Sequence, residues 1–237
     1  VRPIARYVMT QGSTREVTTA LATLGEVGDH RDLKAIFLVA KRRHWPVPGA
    51  AAYTLYRLAR RGMLRAFADK PELCAIGGSR EPYVRANIAA TMGALGLDGC
   101  GAEGPDPLRW LGAEHAPAVR VAAARWTQAA RAAGRIDAAE ADRALERCAS
   151  TDIEASVRAA CESVSAIGKD AFEPVESYLY ASDGVSLLRD GLFALRLADG
   201  AVLLGYSDAN GHVRVPAAPH GELRLEDPSQ VRLEPIE

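Results

Sequence analysis

Pro82-Tyr83-Val84-Arg85-Ala86-Asn87-Ile88-Ala89-Ala90-Thr91-Met92-Gly93-Ala94-Leu95-Gly96 is the stretch from which the fold can be read. Val84, Ile88, Met92 and Leu95 fall at i, i+4, i+8 and i+11, which is one face of an α-helix. Proline stands at the first turn, where its missing N–H costs nothing. Gly96 follows where a helix C-terminus wants a residue tolerant of positive φ, and Gly168 holds the same place later in the chain.

Related stretches lie on both sides. Pro46-Val47-Pro48-Gly49-Ala50, Pro117-Ala118-Val119-Arg120-Val121 and Ala155-Ser156-Val157-Arg158-Ala159 align with it, and their Val anchors at 47, 84, 119 and 157 are 37, 35 and 38 residues apart. A weaker first unit aligns through Leu21, Leu24 and Gly25, with its anchor near Ser13. A shorter helix precedes most anchors. Asp29 with Asp32, Asp106-Pro107, and Asp137 with Glu140 are start signals of the N-cap kind. Two helices per unit is the pattern of stacked hairpins, each unable to bury its apolar face alone. Alanine at the packed positions permits close helix approach.

The P-x-V-R-x-x-A opening closed by L-G resembles HEAT repeats, in particular the bacterial HEAT-like class of phycobilisome lyases, over residues 13–170. The resemblance implies a right-handed α-solenoid of about five helical hairpins. Two departures stand out: Pro48 replaces the Arg of the second unit, and Asp98 to Pro105 leaves only a stub of helix around Leu108, Trp110 and Leu111. The resemblance also implies that Arg85, Arg120 and Arg158 form a structural ladder with acids of neighbouring units. It says little about activity, because such arrays host scaffolds, adaptors, nucleic-acid binders and some enzymes.

After a helix expected around Ala171 to Ala181 the texture changes. Short runs at 192–197, 202–206, 212–215, 222–225 and 231–233 alternate with Asp199-Gly200 and Asn210-Gly211, so an antiparallel meander is expected. The run from Gly205 to Leu225 resembles part of a carboxypeptidase-regulatory or transthyretin-like β module, a type that is usually non-catalytic. The expected division is a solenoid over 1–182 and a small β domain over 183–237 that caps the array or adds a docking surface. Asp199, Asp208 and Asn210 read as turn chemistry and not as a calcium loop.

Cys74, Cys100, Cys148 and Cys161 form no C-x-x-C pair and do not cluster with His, so they read as small buried hydrophobes in a reducing cytoplasm. No run of roughly 18 apolar residues occurs, the length that a membrane-crossing helix needs. Val1-Arg2-Pro3-Ile4 has neither a signal-peptide core nor an initiator Met and is read as trimmed or internal to a longer chain. Arginine-rich basic charge and heavy alanine use suggest a bacterial source. No G-x-S-x-G, Walker or H-E-x-x-H motif is present, so no catalytic residue, metal ligand or cofactor is assigned.

The net charge of −1 hides an asymmetry. Residues 31–65 hold nine Lys and Arg against Asp32 alone, whereas the stretch after Asp137 is acid-rich. The expected function is a non-catalytic protein–protein interaction scaffold holding a partner on the concave face. The alternatives are nucleic-acid binding through the basic segment, as in some bacterial HEAT-like repair proteins, and a lyase-type enzyme. Candidate partner-binding residues are Lys41, Arg42, Arg43, Trp45, Arg57, Arg60, Arg61 and Arg65, with Trp45 as an aromatic anchor.

Overall fold

A computed structural model describes residues 1–41, 44–101, 103–163, 172–180 and 184–226. Its described part is mainly helical, with a small antiparallel β region at the C-terminal side. The helices are α1 (Arg2–Gln11), α2 (Thr14–Val27), α3 (Leu33–Ala40), α4 (Val47–Arg60), α5 (Ala66–Gly77), α6 (Pro82–Ala94), α7 (Pro117–Ala132), α8 (Ala138–Thr151) and α9 (Ala155–Glu162). A single 3-10 turn, Arg109–Leu111, stands where a stub of helix is expected.

Local signals set these boundaries. Ser13 caps α2 through a reciprocal bond pair with Glu16, and the Asp137 carboxylate accepts from the Glu140 amide at 2.8 Å to start α8. Prolines open α4, α6 and α7, and Gly96 at φ +59° follows α6. The helices α2, α4, α6, α7 and α9 pack each on the next, while α3, α5 and α8 lie against α4, α6 and α9. Ala51, Ala52, Ala86, Ala89, Ala122 and Ala123 are all fully buried along this row. At Gly93 a Cβ would stand 3.1 Å from the Trp126 Cα, so glycine admits the backbone of α7.

Polar ties join neighbouring helices as well. The Thr54 hydroxyl donates to the Leu21 carbonyl at 3.0 Å. Arg57 donates twice to Glu26, at 3.0 and 3.1 Å. Trp126 Nε1–H donates to the Leu97 carbonyl at 2.6 Å. The recurring arginines act mainly on loops. Arg85, Arg120 and Arg158 each reach back to a carbonyl just before their own helix, at Ser79, His115 and Asp152. Of the three, Arg120 also pairs with an acid beyond its own helix, Asp152, at 2.8 Å.

The β region departs from a meander. β1 (Phe172–Tyr178) pairs with β4 (His212–Pro219), while β2 (Leu192–Arg196) lies between β3 (Val202–Tyr206) and β5 (Arg224–Glu226). The Asn210-Gly211 turn therefore joins strands of two different sheets. Its chemistry is as expected: the Asp208 carboxylate accepts from the Asn210 and His212 amides, each at 2.8 Å. β1 replaces the helix expected around Ala171 to Ala181. Pro174 sits where the β1–β4 register shifts. It removes an N–H that a helix interior needs and that an irregular strand pair can lose. The β region thus starts ahead of the boundary expected at 183. The strand expected at 231–233, and Gly168, lie outside the described residues.

The cysteines also differ from expectation. Cys74 is bonded to Cys100 and Cys148 to Cys161, with Cα separations of 5.7 and 6.0 Å. Cys74 on α5 meets the loop after α6, and Cys148 and Cys161 lie on the facing sides of α8 and α9. Sequence spacing carries no signal for either pairing, because the helical packing creates both.

Candidate ligand-binding groove

Helices α2, α4 and α6 are all in contact with β3. The seat is specific. Asn87, fully buried in the middle of α6, donates to the Val202 carbonyl at 2.9 Å and accepts from the Val202 amide at 2.7 Å. It also donates to the Gly49 carbonyl at 3.0 Å. The asparagine amide thus satisfies both backbone groups of one strand residue, as a neighbouring strand would. Gly49 leaves room for Leu204, and Gly200 (φ +86°) brings the β2–β3 turn onto α7, where a Cβ would collide with the Ala122 amide nitrogen.

Beyond this seat the helices leave a groove of about 460 Å³. Its floor is Ala90, Gly93 and Ala94 of α6 with Ala129 and Ala132 of α7. These follow i, i+3, i+4 spacing, so small residues recur on one helix face. Tyr56 and Arg60 of α4 stand at one side, and Asp142, Leu145 and Cys161 of α8 and α9 at the other. Gln128 fixes that far wall by donating to the Ala160 and Ser163 carbonyls at 2.8 and 2.5 Å. The Cys148–Cys161 bond ties the same two helices together.

The charged groups of the groove are unequal. Arg131 and Asp142 pair at 2.7 Å near solvent. Asp199 comes from the β2–β3 turn and is buried; Tyr56 donates its hydroxyl proton to one carboxylate oxygen, and the Ala201 amide donates to the other at 3.2 Å. Burial pushes the Asp199 carboxyl up, against the Tyr56 bond. Burial and the neighbouring Asp199 charge both push the Tyr56 hydroxyl well up. Burial pulls Arg125 down, and the Asp199 charge partly restores it. Arg60 stacks over the Phe172 ring at 4.4 Å. Asp199 is therefore more than a turn residue: it joins the turn to the groove.

The residues expected to form a basic patch are dispersed. Arg42 and Arg43 lie outside the described residues. Lys41 pairs with Glu72 at 2.6 Å. Trp45 is half-buried against the core, with its ring 5.9 Å from that of Tyr83. Arg57 is 5% exposed and held by Glu26. Arg61 donates to the Gly25 and Gly28 carbonyls at 3.1 and 3.0 Å, closing the end of α2. Arg65 is exposed beside Asp69 at 3.8 Å. Among the described ones, Arg60 lines the groove. Arg125 and Gln128 were not singled out in the sequence, and Asp199 was read there as turn chemistry alone. Among the described residues, no three His, Cys, Asp or Glu side chains gather as a metal site requires. No helix among the described residues is long and apolar enough to cross a membrane. No protein-family model matches the chain, and no curated protein matches it.

Proposed function

We propose that the chain is a non-catalytic protein-interaction module, built as a HEAT-like α-solenoid, whose groove between α4, α6, α7 and α9 receives a segment of a partner protein. The observation that carries this reading is the groove itself. It keeps a floor of alanine and glycine and a charged rim beside the contacts that β3 makes with α2, α4 and α6. A flat floor of small residues accommodates backbone and short side chains, and the rim supplies orientation. The repeat spacing and the successive packing of the second helices support the solenoid. Nucleic-acid binding draws less support, because Trp45, Arg57 and Arg61 are engaged in packing and capping. Two disulfides support an oxidising compartment in place of the reducing cytoplasm expected from free thiols.

Ala129→Trp, which fills the groove from α7, tests the reading. Proteins captured by the wild-type chain would be identified by cross-linking mass spectrometry, purified, and titrated by calorimetry against both forms. The expected result is a partner bound at micromolar affinity or tighter and weakened at least ten-fold by Ala129→Trp, with an unchanged melting temperature. Equal binding to both forms would remove the groove from the function.

A further inference from the structure

A second cavity, of about 280 Å³, shares no lining residue with the groove. One wall is backbone: Gly77 and Gly78 at the end of α5, and Gly104-Pro105 in the loop that the Cys74–Cys100 bond fastens to α5. The charged wall is Arg85 of α6, Arg109 of the 3-10 turn and His115 just before α7.

Arg85 is the unbalanced group. Its Nε–H donates to the Ser79 carbonyl, its Nη1 stands 3.5 Å from His115 Nδ1, and the guanidinium lies 5.9 Å from the centre of the Trp110 ring. Among the described residues it has no carboxylate partner, and its Nη2 donates to none of them. Burial and the charge of Arg80 both pull it down. The repeat accounts for the imbalance. Arg120, in the next unit, is matched by Asp152, which stands six residues ahead of the following recurrent arginine, Arg158. The same place ahead of Arg120 is held by Glu114, but that side chain is 70% exposed. Arg85 therefore meets an imidazole where Arg120 meets a carboxylate.

A guanidinium can only donate, so His115 Nδ1 accepts and the ring proton is on Nε2. Nε2 is 3.6 Å from the Glu114 carboxylate, too long for a hydrogen bond. Burial first, then the charges of Arg85, Arg120 and Arg109, hold His115 below its ordinary pKa against the pull of Glu114. Arg109 directs Nη2 to the Gly101 and Gly104 carbonyls and Nε towards Asp106 at 3.9 Å, which leaves Nη1. Glu103 and Glu114, the acids of the lining, are exposed, so water screens their charge. A half-buried cation without a counter-charge is costly. Donors from three separate elements suit a tetrahedral oxyanion, whose acceptors point in several directions, better than a planar carboxylate.

The geometry points to a phosphate-group site in this cavity, with Arg85 as its central cation and Arg109 and His115 Nε2–H as its further donors. The phosphate is either free or carried as a monoester on a partner. The site stands on residues outside the groove, so it holds or falls independently of the interaction reading above.

The test follows the Arg85 Nε–Hε and His115 ring NMR signals of the whole chain at pH 8, where the phosphate is a dianion. The probes are inorganic phosphate, the peptide Ac-Ala-Ser-Ala-NH2 with its serine phosphorylated, the same peptide unmodified, and acetate. Phosphate and the phosphopeptide are expected to shift both signals saturably, with acetate and the unmodified peptide at least ten-fold weaker. A phosphopeptide that binds more tightly than inorganic phosphate identifies a partner-borne monoester, and the reverse order identifies the free ion. Arg85→Gln should weaken phosphate at least ten-fold and Arg109→Gln at least three-fold. Arg85→Lys, which keeps charge but not the fork, should fall between wild type and Arg85→Gln. Glu114→Gln, made on an exposed side chain, should strengthen binding at least two-fold, an outcome that a damaged fold does not produce. Arg131→Gln, in the groove, should leave binding within two-fold. Acetate binding as well as phosphate, no saturable shift with either phosphate probe, or unchanged affinity in Arg85→Gln and Glu114→Gln would each overturn the site.

Discussion

Replacing Asn87 by Ala removes the joint between the helical and β parts of the chain at its most buried point. The side chain is fully buried and makes three hydrogen bonds, two of them to the backbone of Val202. The truncated side chain leaves the Val202 N–H and C=O facing an apolar helix surface where water does not replace the amide. A buried backbone group stranded in this way costs roughly 1–3 kcal/mol, so the two together cost about 4 kcal/mol. That is a large share of the stability of an ordinary domain, about 5–15 kcal/mol. Guanidinium denaturation of Asn87→Ala should therefore show a clearly lower midpoint. Amide hydrogen exchange should show where the loss falls, with Val202 losing protection first. Asn87→Asp sharpens the test, because its carboxylate accepts from the Val202 amide but cannot donate to either carbonyl. It should destabilise at least as much as Ala. A loss under about 1 kcal/mol with Val202 protection unchanged would refute the view that β3 is seated through this residue.

Glu81 gives a pH prediction. Its carboxylate accepts from the Tyr83 and Val84 amides at 2.9 and 2.8 Å, but burial dominates and pushes its pKa up to about 7 from 4.5. The folded chain therefore keeps a proton that the unfolded chain releases near 4.5, and stability present in mild acid is lost as pH rises towards and through 7. The wild-type minus Glu81→Gln difference in unfolding free energy should fall by about 3 kcal/mol between pH 4.5 and 8; a flat difference would disprove the shift. Gly200→Ala forces a side chain onto a residue at φ +86° against the Ala122 amide. It should cost about 2–4 kcal/mol in chemical denaturation, and a cost under 1 kcal/mol would mean the turn is not packed on α7. The disulfides close loops of 26 and 13 residues, for which chain entropy gives about 3.5 and 3 kcal/mol. Cys74→Ala/Cys100→Ala and Cys148→Ala/Cys161→Ala should each lower the melting temperature under oxidising conditions, and thiol titration of the denatured wild type should find no free thiol.

The helices were legible because their signals are local. Val84, Ile88 and Met92 repeat at helical spacing, Asp137 with Glu140 signals a helix start, and the alanines that pack them recur in register. What escaped depends on direction or on distant partners. Counting charge over 31–65 finds a basic segment but not where its side chains point. Arg57 on α4 and Arg61 at its C-cap turn towards α2, whereas Tyr56 and Arg60, one residue earlier in each case, turn into the groove. The cysteine pairings needed α5 and α8 placed against their neighbours, and β1 needed β4 as a partner before extended structure could outweigh a helical reading. One signal for the seat was present in the sequence. Asn87 is a poor helix former in the middle of a helix that otherwise reads alanine, isoleucine and methionine. A polar amide on a face that packs inward must be matched by a donor and an acceptor together, and a helix row satisfied by its own backbone has no such pair to give. Here the strand residue Val202 offers both, so the match becomes visible only once β3 is laid against α6.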